Sequence, residues 1–272
     1  MATRSPVLNV MIRAAEKAAR GLKRDFGEVE NLQVSRKGPA DFVSTADRRA
    51  ESTLRQELQR ARPNFGLLME ESGETEAAVA GQDHRFIVDP LDGTTNFLHG
   101  IPHFAISIAL ESGGEVTAGV VYDPIKEELF FAEKGVGAFL NDRRLRVSAR
   151  ERLDAAVIGT GAPFKGHGNR PGFLAEIDAV MAETAGIRRL GSASLDLAYV
   201  AAGRFDGFWE RGLNAWDIAA GVVLVREAGG FVGSLDRTPF RLDGGQSLAT
   251  NAALEVPLQR LLARAAKTET AR

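Results

Sequence analysis

The chain has 272 residues, with 34 basic and 36 acidic side chains that nearly cancel to a formal charge of −2, which argues against a nucleic-acid wrapper and against an acidic recruitment tail. Hydrophobic residues make up 44% and charged residues 26%, the balance of a globular chain able to bury a substantial core. With no cysteine, disulfides, thiolate zinc sites and cysteine nucleophiles are excluded, and a cytoplasmic setting is expected.

In chain order, Ser5-Pro6 resembles an N-cap and first-turn pair, and Val7, Val10, Met11, Ala14, Ala18 and Leu22 recur at helical spacing, predicting a helix over Pro6–Phe26. The start lacks the continuous apolar stretch of a secretory signal, and no apolar run approaches the length that crosses a bilayer. "SRKGPAD" (Ser35 to Asp41) reads as a polar loop, whose Arg36 and Lys37 are either solvated or able to visit an anion. Ser44 and Asp47 stand at capping-box spacing at the head of a second amphipathic helix. Phe65–Met69 reads as a strand ending in Glu70-Glu71, and Phe86–Val88 as a buried strand ending in Asp89.

From Phe104 to Val147 the pattern becomes "FAISIAL", "EVTAGVVYD", "EELFFAE" and "GAFLNDRRLRV", separated by turn-forming residues, as in an antiparallel meander. Arg143, Arg144 and Arg146 read there as a solvated face. Beyond it, helices are expected near Pro171–Thr184, Ser194–Ala202, Ala215–Glu227 and Leu254–Ala266, with strands near Ala156–Gly159, Gly207–Trp209 and Phe231–Gly233. Residues 1–147 thus read as an N-terminal α+β part and 148–272 as a C-terminal α/β part completing the site, although no linker-like composition marks the division.

Three strand ends deliver acid where core meets solvent: Glu70-Glu71 after Met69, Asp89 after Val88, and Glu210 after Trp209. Asp217 follows Trp216 near the start of the helix "WDIAAGVVLVREAGG". Ligands of open sheets collect at the carboxyl ends of strands. Two carboxylates 4 Å apart repel by roughly 4 kcal/mol at an effective dielectric of about 20, so a convergent set takes up protons or holds cations. His84, His99, His103 and His167 offer no helical zinc motif, because Pro102 interrupts the His99/His103 pair. A hard cation with oxygen ligands is the better match.

"VDPLDGTTNF" (Val88 to Phe97) adds an anion site to the acids. Pro90 is expected to end the strand's hydrogen bonding and aim Asp89 and Asp92 from one turn. Gly93 permits close approach or positive φ, and Thr94 and Thr95 suit the first positions of a short helix whose free N–H groups attract an oxyanion.

With "EES" before it, "WDIAAGVVLVREAGG" after it, "KGPADFVSTAD" near the start and "RLGSASLDLAYVAAGRFDGFWE" between, the chain resembles the inositol monophosphatase family over essentially its whole length. The resemblance implies a layered αβαβα sugar-phosphatase fold and a Mg2+-dependent phosphomonoesterase. It implies two to three ions per site: Glu70, Asp89 and the Leu91 carbonyl for the first, and Asp89, Asp92 and Asp217 for the second. A third, weaker ion would use Glu70 through waters. It also implies that Thr94, paired with Asp47, orients the attacking water, that the Gly93 and Thr94 amides hold phosphate, and that Asp92, Gly191, Ser192, Ala193 and Glu210 face the alcohol. Lithium inhibition and a homodimer are further implications.

Bland readings stand beside these. Asp92-Gly93 alone is a turn, Glu70-Glu71 a solvated strand end, Asp47 a cap, Asp217 a complement to a helix dipole, Glu210 an exposed strand end and Ser192 a small packing residue. His99 and His103 read as structural or surface residues. Two functional alternatives stay open. One is the same chemistry on fructose 1,6-bisphosphate, histidinol phosphate or a nucleotide 3′-phosphate, the last disfavoured because the length leaves no room for large insertions. The other is a regulatory protein that binds a macromolecular partner.

Overall fold

The structure, a computed structural model, describes residues 4–26, 28, 34–38, 41–76, 83–163 and 168–270, with the side chains of 34–43 and 267–270 outside the description. The first helix, α1 (Pro6–Phe26), begins as its sequence predicts, with the Leu8 N–H donating to Ser5 Oγ at 3.2 Å. Its apolar stripe of Leu8, Met11, Ala15, Ala18 and Leu22 is buried. In α2 (Thr45–Ala61), Ala46, Ala50, Leu54 and Leu58 recur every fourth residue and form the buried face packed against α1.

These two helices cover one face of a sheet of eight strands among the described residues. Its order is β10 (Arg143–Arg144), β9 (Gly137–Leu140), β8 (Glu128–Glu133), β7 (Glu115–Asp123), β6 (Ala105–Ser112), β5 (His84–Asp92), β3 (Gly66–Met69) and β4 (Gly73–Thr75). The meander from β6 to β10 is antiparallel as expected, and its exposed end carries Arg143, Arg144 and Arg146. Within this sheet, among the described residues, only β3 and β5 run parallel, with Met69 opposite Val88. Their carboxyl ends therefore lie side by side and bring Glu70 beside Asp89.

Along β5 the side chains alternate between two cores. Phe86 and Val88 join the cluster under α1 and α2, whereas Ile87 joins a second cluster on the opposite face. That second cluster is built around α5 (Ala193–Ala201), buried along its whole length, and α6 (Ala215–Glu227). Beyond them lies a five-stranded sheet in the order β12 (Gly186–Arg188), β11 (Val157–Thr160), β13 (Gly207–Arg211), β15 (Gln246–Thr250) and β14 (Phe231–Gly233). α4 (Arg170–Glu183) and α7 (Glu255–Thr270) close its outer face over Ile158, Val180, Trp209 and Leu258. The layers are thus αβαβα, as the resemblance implies.

Two local expectations are corrected. The stretch from Ser35 to Asp41 is not simply a loop: Val34–Gly38 (β1) and Asp41–Ser44 (β2) pair antiparallel, with backbone hydrogen bonds supplying what the polar sequence lacks in apolar alternation. The side chains of Arg36 and Lys37, and His167, lie outside the described residues. Pro90 does not end its strand either. β5 continues to Asp92, opposite Ala105, through a register shift between Asp89 and Asp92. Proline is tolerated within a sheet at such a bulge, where no ladder N–H is required.

Candidate active site

The bulge makes the site possible. It leaves Leu91 in the core under α1 and α2 while Asp89, 2% exposed, keeps Oδ1 turned back to accept the Leu91 N–H at 2.9 Å. Gly93 then caps α3 (Thr94–Leu98) at φ 97°, a left-handed conformation costly for a side-chain-bearing residue. A Cβ there would also stand 3.2 Å from the carbonyls of His103 and Gly191. Phe97 anchors the short helix against Phe26 and Phe104, with ring centroids 5.7 and 5.1 Å away. The first amides of α3 have no intrahelical acceptor, which suits them to an oxyanion.

Both helix-cap acids have a second task. Asp47 closes the capping box of α2 by accepting the Ser44 N–H on Oδ2 at 2.9 Å, while Oδ1 lies 2.9 Å from Thr94 Oγ1. Thr94 Oγ1 is also 3.0 Å from the Leu91 carbonyl, so its one proton goes to an acceptor beneath it and its lone pairs remain for a donor above. Asp217 accepts the Asn214 N–H on Oδ2 at 2.7 Å in the first turn of α6. The capping reading and the site reading of these residues are therefore compatible.

Asp92 ties the two sheets together. Its Oδ2 accepts from Ser192 Oγ at 2.7 Å, the Ser194 N–H at 2.8 Å and Ser194 Oγ at 2.5 Å, all at the head of α5. Ser192 is committed to Asp92, which makes its hydroxyl a positioning group. Asn96 fixes the same junction by donating to the carbonyls of His103 and Leu190, each at 2.8 Å. Glu51 holds the turn after β3 by accepting the Glu71 N–H at 2.9 Å.

Across the interlayer space, β11 and β13 run parallel, Thr160 opposite Trp209, and place Gly161 beside Glu210. A Cβ on Gly161 would lie 1.7 Å from Glu210 Oε1, so the Glu210 carboxyl rests directly on the glycine. The resulting cleft of about 410 Å³ is lined by Glu70, Asp92, Gly191, Ser192, Ala193, Glu210 and Asp217 from the predicted set. Asp47, Asp89, Leu91, Gly93 and Thr94 stand behind this lining, joined to it through the contacts above. Sequence reading missed Gly161, Arg189 and Asp196, which also line the cleft. The signals available were the glycine ending "VIGTG", the basic pair before Gly191, and Asp196 one helical turn beyond Ser192. A groove of about 530 Å³ near Arg85, Arg226 and Phe240 is larger but lies away from the acids.

The electrostatics follow from crowding. Burial, then the charges of Glu70, Asp92 and Asp217, hold the Asp89 carboxyl well above the usual range. Burial does the same to Asp217, opposed by the Asn214 N–H, with Asp92, Glu70 and Glu210 adding to the rise. Asp92 is raised by burial, against the hydrogen bonds from Ser192 and Ser194. Asp47 is likewise raised by burial and partly restored by Ser44 and Thr94. Glu210 is pushed up to about 8 by burial and Asp92, with Arg189 opposing. His103, lowered to about 4 by burial and Lys126, packs edge-on to Tyr199, and exposed His99 caps α3, so both are structural or surface residues.

Among the described residues no three histidine, aspartate or glutamate side chains form a ready-made cage for one ion. The donor set still fits a hard divalent cation, because every candidate ligand is oxygen and a cation would relieve the repulsion that raises Asp89 and Asp217.

An αβαβα sandwich with acids, a paired threonine and free helix amides at the carboxyl ends of its parallel strands defines a phosphatase of the sugar-phosphatase type. The profile of the inositol monophosphatase family matches residues 3–270, and the chain belongs to that family. It is 60% identical over 266 residues to an inositol-1-monophosphatase of Mesorhizobium japonicum, covering 97% of each chain. It is 46% identical to a Pseudomonas aeruginosa protein named Nus factor SuhB, over 90% of this chain and 92% of that one. The crystal structure of an extragenic suppressor protein suhB from Bartonella henselae superposes with a TM-score of 0.92 at 59% identity, over 95% of this chain and 98% of that one.

Proposed function

We propose that this phosphatase hydrolyses a myo-inositol monophosphate to inositol and phosphate, with Mg2+ held by Glu70, Asp89, the Leu91 carbonyl, Asp92 and Asp217. The observation that carries the reading is the convergence of Glu70, Asp89, Asp92 and Asp217 on one another's charge beside the Thr94–Asp47 pair. Bound divalent ions supply charge neutralisation for phosphoryl transfer and an acidified water. The chain supplies position. Thr94, its proton directed to Asp47 or the Leu91 carbonyl, accepts from the attacking water and fixes its approach. The amides of Gly93 and Thr94 hold the phosphate oxygens, and Asp92, Gly191, Ala193 and Glu210 receive the leaving alcohol, with Ser192 positioning Asp92. Two or three ions, a homodimer, lithium sensitivity and a cytoplasmic location accompany this reading. No described helix is long and apolar enough to cross a membrane.

Asp89→Asn is expected to abolish turnover of myo-inositol 1-phosphate in Mg2+, a loss on the order of 1,000-fold or more given how much a misplaced metal costs such chemistry, while the circular dichroism spectrum is preserved. Activity within tenfold of wild type would remove Asp89 from the metal site. Phosphate release from myo-inositol 1-phosphate, fructose 1,6-bisphosphate and histidinol phosphate, compared as kcat/KM, decides the substrate.

The likeness to a protein named Nus factor SuhB supports a second, compatible reading in which the fold also binds a macromolecular partner. The near-neutral charge disfavours strong direct nucleic-acid binding. A specific partner retained equally by wild type and Asp89→Asn would establish this role as separate from catalysis; capture of none would exclude it under those conditions.

A further inference from the structure

Asp196 is an acid that the reaction above does not use. It stands on α5 one turn beyond Ser192, whose carbonyl accepts its N–H at 3.0 Å. Its side chain is almost wholly buried, with the residue 1% exposed, yet it lines the cleft alongside Glu210, Gly161 and Arg189. Its Oδ1 is buried without a hydrogen-bond partner, whereas Oδ2 of nearby Asp92 takes three donors. A buried polar oxygen in a residue that lines a cleft, left unmatched by the protein, is suited to a polar group of the ligand.

The surroundings restrict what that group can be. Asp196 feels the negative charge of Glu210 and Asp92 and the positive charge of Arg189. Glu210 feels Asp92 and the same arginine. Two acidic residues from different layers, α5 and β13, thus line one cleft together with Arg189. Burial holds both carboxyls above their usual range, and a neutral hydroxyl can pair with such a group in either protonation state, donating to the carboxylate or accepting from the acid.

We propose that Asp196 is a specificity-determining residue that, together with Glu210, reads hydroxyl groups on the leaving alcohol and selects polyhydroxylated over hydroxyl-poor phosphomonoesters. The proposal rests on the phosphatase reading and adds a residue and a selection rule to it. Its test compares myo-inositol 1-phosphate with phenyl phosphate, which lacks hydroxyls, by steady-state kinetics and by calorimetric titration. In Asp196→Ala, the ratio of kcat/KM for the two compounds is expected to fall by about tenfold, the loss of one buried hydrogen bond, with a parallel fall in the ratio of their affinities. Asp196→Asn, isosteric and uncharged, keeps one acceptor and is expected to lower both ratios by about threefold. It carries the test if the alanine variant does not fold.

Ratios within twofold of wild type in the folded variants would overturn the proposal and leave Asp196 a structural acid of α5. A wild-type protein that turns over neither compound would sink the phosphatase reading instead. The affinity ratios then decide Asp196 alone: a fall supports it and no change overturns it.

Discussion

Gly161 shows how a residue without a side chain can position one that has it. Its Cα supports the Glu210 carboxyl so closely that an added Cβ would fall 1.9 Å from Glu210 Cδ. The obstructing atoms belong to the end of a flexible side chain, so Gly161→Ala is relieved by swinging Glu210 away rather than by moving backbone. The expected result is a fall of about tenfold in kcat/KM for myo-inositol 1-phosphate, comparable to losing one buried hydrogen bond. Tm should stay within about 2 °C of wild type, since 0.5 kcal/mol moves a domain of this size by only a degree or two. A large loss of Tm would show that the glycine serves packing instead. Such residues are hard to find in sequence. "VIGTG" reads as a strand and a turn, and only Glu210 arriving from β13 gives its last glycine a purpose.

At the scale of elements, the site depends on how closely α6 lies on the large sheet. Gly119 in β7 leaves room for it: a Cβ there would stand 2.6 Å from Val223 Cγ1, 2.8 Å from the Ala220 carbonyl and 2.9 Å from Ala220 Cα. Backbone atoms cannot swing aside, so Gly119→Ala has to lift the helix that presents Asp217. Overpacking of this kind costs about 1–3 kcal/mol, and chemical denaturation is expected to show a loss in that range together with weaker divalent-ion binding. Unchanged stability would mean that the sheet bends instead. α1, α6 and the meander were legible because each has a strong period, 3.6 or 2, and a recognisable start. β4, β12, β15 and the β1–β2 hairpin were not. β15, "QSLAT", buries Ser247 and Thr250 between two partner strands, a placement its polar composition does not announce.

Across the whole molecule, acids that repel one another are gathered between two sheets, and their collection costs stability that ions can restore. Glu210 illustrates the sign. Its carboxyl titrates at about 8 in the fold against an ordinary 4.5, so its contribution is complete below about 4.5 and is lost as pH rises towards 8. In EDTA, the Tm of wild type is therefore expected to fall relative to that of Glu210→Gln between pH 5 and pH 8 on this shift. Mg2+ should raise Tm more at pH 8 than at pH 6, because ionised carboxylates bind it and protonated ones do not. Parallel pH profiles for the two proteins would remove Glu210 from the acid cluster. We propose that the division at 147/148 describes the course of the chain only. Leu145 and Phe130 share one core with Leu197 and Val232, so each part covers the other's apolar face.

The sequence by itself determined the chemistry on offer: oxygen ligands rather than thiolates, a strand that leaves the core carrying Asp89 and Asp92, a glycine and threonines placed for an anion, and a helix headed by Asp217. Those features are local, and local sterics and hydrogen bonding specify them within a few residues. Tertiary structure alone decided what they do together. It continued β5 through Pro90 as a bulge, locked Asp92 to Ser192 and Ser194, seated Glu210 on Gly161, and brought Asp196 and Arg189 to the same cleft. Each of those relations joins segments distant in sequence. Close packing of the layers and the cost of leaving buried polar groups unpaired select them, and neither acts until the sheets and helices have come together.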